Sequence, residues 1–214
     1  MKIIDLTHTI NENILMFPGD EKPKIVRRTS VDKDLYTESS LRISSHVGTH
    51  MDSSYHVYND GIPLDMHEVN QFVGDAIVIN VSSKNENEFI TMKDLADYQE
   101  VLANIDYIIF NTGWHRKWNS EGYFTGYPII DEEVAEYISI SQIKGIGVDT
   151  ISIDRTFEDQ LKNHHILLKR KEFVVIENLT NLDKISGVFQ FICLPLKWED
   201  ADGAPVRAIA IQND

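Results

Sequence analysis

Apolar residues fall in short runs separated by polar punctuation. The runs at residues 3–6, 41–45, 75–81, 106–110, 145–148, 173–176, 188–194 and 206–211 are rich in β-branched and aromatic side chains, so each predicts a strand. Most are too continuously apolar for a strand with one wet face, which predicts a sheet covered on both sides. Three intervening segments follow a helical rhythm instead. Residues 91–102 open with a cap-like Thr91/Asp94 pair, residues 131–138 open on an acidic cap after Pro128, and residues 157–168 space apolar side chains as a helix does. The alternation predicts an α/β fold, one domain over residues 1–214, with a mixed β-sheet. The strand-rich first third argues against a regular doubly wound pattern.

Composition narrows the function classes. The 34 acidic against 20 basic residues give a formal charge of −14, which repels phosphate backbones and anionic membrane surfaces and predicts no nucleic-acid partner. Residues 1–10 alternate apolar and polar side chains, and no apolar run approaches the length of a membrane span, so no membrane partner is expected and a cytoplasmic enzyme or binding protein is. Cys193, the single cysteine, sits in an apolar run and reads as a buried structural thiol. Two loops concentrate turn residues. One holds Phe17-Pro18-Gly19-Asp20; the other, residues 112–128, carries Trp114, His115, Trp118, Tyr123, Phe124 and Tyr127 and reads as a functional lid or interface.

The chemistry concentrates in His46-Val47-Gly48-Thr49-His50-Met51-Asp52-Ser53-Ser54-Tyr55-His56, three histidines and a carboxylate within eleven residues. If the strand at 41–45 continues extended, His46, Gly48, His50 and Asp52 share one parity and one face, converging as half of a metal site. Gly48 then admits a ligand or second backbone, or marks a bend. Imidazole and carboxylate donors without thiolate suit zinc, manganese or iron, and three protein ligands leave room for a reactive water. His56, past the Ser53–Ser54 turn, is placed to face such a centre as general acid/base.

These residues, with Ile4-Asp5-Leu6-Thr7, Phe17-Pro18-Gly19-Asp20, Asn111-Thr112-Gly113-Trp114, the run from Gly147 to Asp154, Ile176-Glu177-Asn178-Leu179 and Leu194-Pro195-Leu196, resemble the cyclase family of metal-dependent hydrolases, which includes bacterial kynurenine formamidase and isatin hydrolase. Its His-x-Gly-Thr-His-x-Asp-x-x-x-His pattern runs here without a gap. The resemblance implies a swivelling β/α/β fold, a homo-oligomer (dimer or tetramer), and one or two divalent ions per subunit, zinc or manganese. It implies His46, His50 and Asp52 as ligands, His56 as the catalytic histidine, and Glu177 with a second-half histidine as further ligands. His164 fits the family's spacing to a Leu-Leu pair and His165 its twelve-residue spacing to the glutamate; His164 is favoured, with one extra residue in the turn at 169–172. Where relatives often have proline, this chain has Ser54 and Ile151, and the first difference is expected to loosen the loop that aims His56.

The expected activity is metal-dependent hydrolysis of a small-molecule amide, an aryl formamide such as N-formylkynurenine, with Trp114 and Tyr123 stacking on the aryl group. Hydrolysis of a cyclic amide or lactone is the alternative within enzymes, and a non-catalytic metal- or small-molecule-binding protein the alternative outside them.

Overall fold

The computed structural model describes residues 1–158 and 160–212. In chain order its strands are β1 (Lys2–Asp5), β2 (Lys24–Arg27), β3 (Ser39–Arg42), β4 (His50–Asp52), β5 (Val73–Asn80), β6 (Phe89–Ile90), β7 (Tyr107–Asn111), β8 (Ile129–Ile130), β9 (Gly145–Val148), β10 (Val174–Glu177), β11 (Val188–Pro195) and β12 (Gly203–Gln212). The α-helices are α1 (Val31–Asp34), α2 (Met92–Leu95), α3 (Gln99–Leu102), α4 (Glu132–Ser139) and α5 (Lys162–Leu168). β2 pairs with β3, and β6 with β8, as separate two-stranded ribbons.

The main sheet runs β1-β12-β11-β5-β7-β9-β10-β4, and β4 pairs again with β12, so the sheet closes into a barrel. β5, β7, β9 and β10 are parallel, while β4, β12 and β11 complete the ring antiparallel. Parallel neighbours need crossovers, and α2/α3, α4 and α5 fill them in turn. Alternation along the strands then sorts the core into two clusters. Tyr107 and Ile109 of β7 point into the barrel with Met51, Ile176, Phe191 and Ala208, whereas Ile108 and Phe110 point outward under Val134, Ile138, Leu167 and Leu168 of the helices. Inside the barrel, bulky Phe191 is opposed by Ala210 on β12 and Gly74 on β5, so one large ring fills the space two small neighbours leave.

Seven of the eight expected strands and the three expected helical segments have counterparts in the fold, whereas the run at 41–45 is extended only at its first two residues, the end of β3. Thr91 and Asp94 form a reciprocal capping box, with the Thr91 N–H donating to Asp94 Oδ2 at 2.7 Å, and Asp131 caps α4 by accepting from the Val134 N–H at 2.9 Å. The helix at 91–102 is broken by a 3-10 turn at Ala96–Tyr98. Of the helix expected at 157–168, Lys162–Leu168 is helical, residues 155–158 form a turn, and Asp159 lies outside the described residues. The extended run expected to continue through Asp52 survives only as the separate three-residue β4. Cys193 is fully buried, and burial pushes its thiol pKa up, consistent with packing and not nucleophilic chemistry. Among the described residues no helix is long and apolar enough to cross a membrane.

Because Phe191 is fully buried and packs edge-to-face on Tyr107 at 5.2 Å between ring centroids, Phe191→Ala is expected to destabilise the fold by about 3–5 kcal/mol, read as a lowered urea midpoint with little change in slope.

Candidate metal centre

Strand register builds the centre. β4 lies antiparallel to β10 with His50 opposite Glu177, Met51 opposite Ile176 and Asp52 opposite Val175. Met51 and Ile176 point into the barrel, so His50, Asp52 and Glu177 share its outer face. α5 crosses that face before entering β10 and sets His164 against it. His46 arrives differently from the expectation of a continuous strand. β3 ends at Arg42, His46 sits in a turn, and Gly48 adopts φ +63°, a left-handed bend that suits glycine. The side chains converge although the backbone is not extended, because the turn lays the His46 ring over Gly203, the residue opposite Asp52 on β12. A Cβ on Gly203 would stand 2.5 Å from His46 Cε1.

The imidazoles are oriented by partners behind them. His50 Nδ1 donates to Gly48 O at 2.9 Å, and His164 Nδ1 donates to Asp154 Oδ2 at 2.7 Å. A carbonyl only accepts, so His50 carries its proton on Nδ1 and turns Nε2 toward Asp52 Oδ1 (3.3 Å) and Glu177 Oε2 (3.5 Å). His164 Nε2 likewise faces Asp52 Oδ2 (3.6 Å) and Glu177 Oε1 (3.4 Å). Nitrogen and carboxylate groups converging at 3.3–3.6 Å need positive charge between them, supplied by a proton in the metal-free chain or by a bound cation. The donor set therefore fits a divalent cation. Two groups can hold one, His46/His50/Asp52 and Asp52/His164/Glu177, each with ligand atoms within 4.8 Å of one another, and Asp52 belongs to both. A third, His46/His56/Asp202, lies toward the rim.

The titration behaviour follows the same charge balance. Burial alone would lower the His46 pKa, but the Asp52 and Asp202 carboxylates outweigh it and push it up to about 10. At His164 burial is likewise outweighed, by Asp154, Asp52 and Glu177, which hold its pKa well above the ordinary value. Burial would raise the Asp52 pKa, yet His50 and His46 hold it well below the usual carboxylate range. His56 goes the other way. Burial, with the neighbouring imidazoles of His46 and His164, lowers its pKa despite the pull of Asp52.

His56 ends the 3-10 turn Ser54–His56, its ring 4.3 Å from that of His46 and 5.8 Å from that of His164. Ser54 does not loosen this turn. Its buried hydroxyl donates to Lys171 O and accepts from the Ile62 N–H, both at 2.8 Å, tying the turn to the distant segment before β10 and to the loop that follows the turn. His165 is exposed and lies edge-on to Tyr58, away from the cluster.

The cluster floors a cavity of about 300 Å³ whose remaining wall includes Phe17, Asp20, Ser44, Ile151, Ser152 and Leu161. Trp114 and Tyr123 are not in that wall. Both are buried in a cluster with Tyr127, Ile129 and Ile151; the Trp114 Nε1–H donates to Tyr123 O at 2.9 Å, and the Tyr123 hydroxyl donates to Asn178 Oδ1 at 2.8 Å. The loop at 112–128 is thus pinned by its own aromatics and buttresses the centre from behind, since Asn178 Nδ2 donates to the same Gly48 O that orients His50. Asp202 and Gly203 were missed in the sequence. An Asp-Gly pair ahead of a strand reads as a turn, and only the β12–β4 register reveals that it touches His46.

A closed α/β barrel bearing imidazoles and carboxylates around a shared aspartate defines a metal-dependent hydrolase type of site. The Cyclase family model matches residues 4–155. A kynurenine formamidase from Bacillus cereus is 33% identical over 208 residues, covering 96% of this chain and 95% of its own, and the chain belongs to the Cyclase family. An isatin hydrolase structure bound to the product analogue thioisatinate superposes with a TM-score of 0.84 at 24% identity, covering 98% of this chain and 91% of that one. A structure described as a potential metal-dependent hydrolase with cyclase activity gives a TM-score of 0.80 at 25% identity, over 98% and 96%.

With His46 and His164 protonated near neutrality in the metal-free chain, ion binding must displace those protons. Zinc affinity is therefore expected to rise with pH between pH 6 and 9, by roughly tenfold per unit for the His46 proton and more steeply where His164 also releases one. Chelator competition in buffers of different pH checks this, together with proton release on titration in weak buffer.

Proposed function

We propose that this chain hydrolyses an aryl formamide of the N-formylkynurenine type. The observation that carries this is the pair of donor groups joined through Asp52 on the floor of one cavity, with His56 beside them. His46, His50, Asp52, His164 and Glu177 would hold the ion or ions, zinc or manganese, one or two per subunit. When bound, such an ion lowers the pKa of a water and polarises the scissile carbonyl. His56, with its lowered pKa, is neutral near pH 7 and able to take the proton of the attacking water. It then delivers that proton to the leaving aryl nitrogen as the C–O bond forms and the C–N bond breaks, giving formate and an aryl amine.

Phe17, Ile151 and Leu161 replace Trp114 and Tyr123 as the apolar surfaces against which an aryl ring would rest, since they line the cavity. We extend the proposal to a cytoplasmic homo-oligomer, dimer or tetramer, of the swivelling β/α/β class, on the strength of the family membership.

The first test is elemental analysis of the purified chain paired with N-formylkynurenine hydrolysis before and after chelation. Stoichiometric metal with chelator-sensitive formate release is expected. Turnover of isatin or a lactone but not of aryl formamides would move the assignment to cyclic substrates, and metal without any turnover to a binding role. His56→Ala is expected to lower kcat by about 10²–10⁴-fold with metal content unchanged; undiminished turnover would remove His56 from the proton path. Phe17→Ala is expected to raise KM for an aryl formamide several-fold and leave kcat little altered, which a Michaelis–Menten comparison of the two proteins reads.

A further inference from the structure

Asp202 stands at the start of β12 with its carboxylate between two imidazoles, 2.9 Å from His46 Nε2 and 4.0 Å from His56 Nδ1. The oxygen facing His46, Oδ2, also accepts from Ser45 Oγ at 3.3 Å. The other nitrogen of the same ring, His46 Nδ1, is 2.7 Å from Asp52 Oδ1. A ring held at both nitrogens by carboxylates, and laid on Gly203 so closely that no Cβ fits between, has one place to rest and two ways to distribute its protons.

We propose that Asp202 is a positioning residue that fixes the His46 tautomer. By accepting a hydrogen bond from Nε2–H it leaves Nδ1 as the nitrogen His46 offers to the metal centre. This rests on the metal-centre proposal above and adds an asymmetry to it. His50 and His164 are held at Nδ1, by Gly48 O and Asp154, and present Nε2; His46 is held at Nε2 and presents Nδ1. The alternative, Asp202 as a ligand with His46 and His56, is less favoured by its surroundings. Asp52 is almost fully buried among the donors, whereas the Asp202 side chain is 40% exposed at the rim, with its Oδ2 engaged by both Ser45 Oγ and His46 Nε2. Oriented ligands of this kind are common where a histidine must present one particular nitrogen.

The test uses the full chain loaded with zinc alone. In long-range proton–nitrogen spectra of ¹⁵N-histidine-labelled protein, His46 is expected to show the pattern of a ring protonated at Nε2, and His50 and His164 that of rings protonated at Nδ1. A His46 pattern matching that of His50 overturns the proposal, and this measurement needs no variant. In chelator competition, Asp202→Ala is expected to weaken zinc retention by about 10–100-fold. Asp202→Asn, which keeps an acceptor oxygen, is expected to restore most of that loss. Wild-type affinity in Asp202→Ala, or an asparagine variant as weak as the alanine one, overturns it, the latter by marking Asp202 as a ligand. If the wild-type chain retains no zinc at all, the metal centre itself falls and this proposal with it, an outcome separable from the others because it appears before any variant is made.

Discussion

The three-residue strand β4 is the constraint on which both the fold and the site depend. It is hydrogen-bonded on one side to β10 and on the other to β12, and without it the barrel has no closing ladder. The same three residues divide by parity: Met51 goes to the barrel core, His50 and Asp52 to the outer face beside Glu177. A one-residue slip would exchange these faces, exposing Met51 and burying an imidazole and a carboxylate in an apolar interior. Hydrophobic burial of Met51 and correct placement of the donors are thus one event. The register is specified by the core and used by the site.

How much of this could be read in the sequence depends on the range of the interaction. The parallel strands carry their own signal as nearly continuous apolar runs, as at residues 106–110, and Asp131 and Thr91 announce their helices by local capping chemistry. The donor residues of the cluster at 46–56 were visible because they are dense, but the reason they converge was not. Equal parity along an extended strand would have sufficed, yet Gly48 turns the chain left-handed and His46 reaches the centre from a turn. Asp202 was silent because its hydrogen-bond partner His46 lies 156 residues away and is set by pairing across β12. The aromatic loop was misjudged for the same reason. Composition shows that Trp114 and Tyr123 must bury their rings, and only packing decides whether they do so against a substrate or against the back of the site.

That back wall explains why an aromatic-rich loop sits so close to the centre without entering it. The Tyr123 hydroxyl holds Asn178, Asn178 holds Gly48 O, and Gly48 O holds the His50 ring. Asn178 follows Glu177 directly and adopts φ +58°, ending β10 and turning its amide back toward Gly48 O. A carbonyl that accepts two donors is fixed in direction, so the chain of contacts converts rigidity of the buried aromatic cluster into rigidity of the His50 ring. The centre is therefore preorganised from two sides, by the barrel register beneath it and by this polar relay behind it.

The two more exposed imidazoles of the cluster show how one cavity can hold rings of opposite charge preference. His46 and His56 lie 4.3 Å apart ring to ring and are both largely buried, yet their pKa values move in opposite directions. Burial disfavours the charged form in each. His46 is clasped by Asp52 and Asp202 at hydrogen-bond distance, which more than offsets that cost, while His56 has only the distant pull of carboxylates and the repulsion of its cationic neighbours. A ring that demands positive charge is suited to a cation site, and a ring that resists it near neutrality is suited to accept a proton and give it up again. Sequence places the same residue type at both positions; the carboxylates, two of them brought in by β-pairing, set their opposite charge preferences.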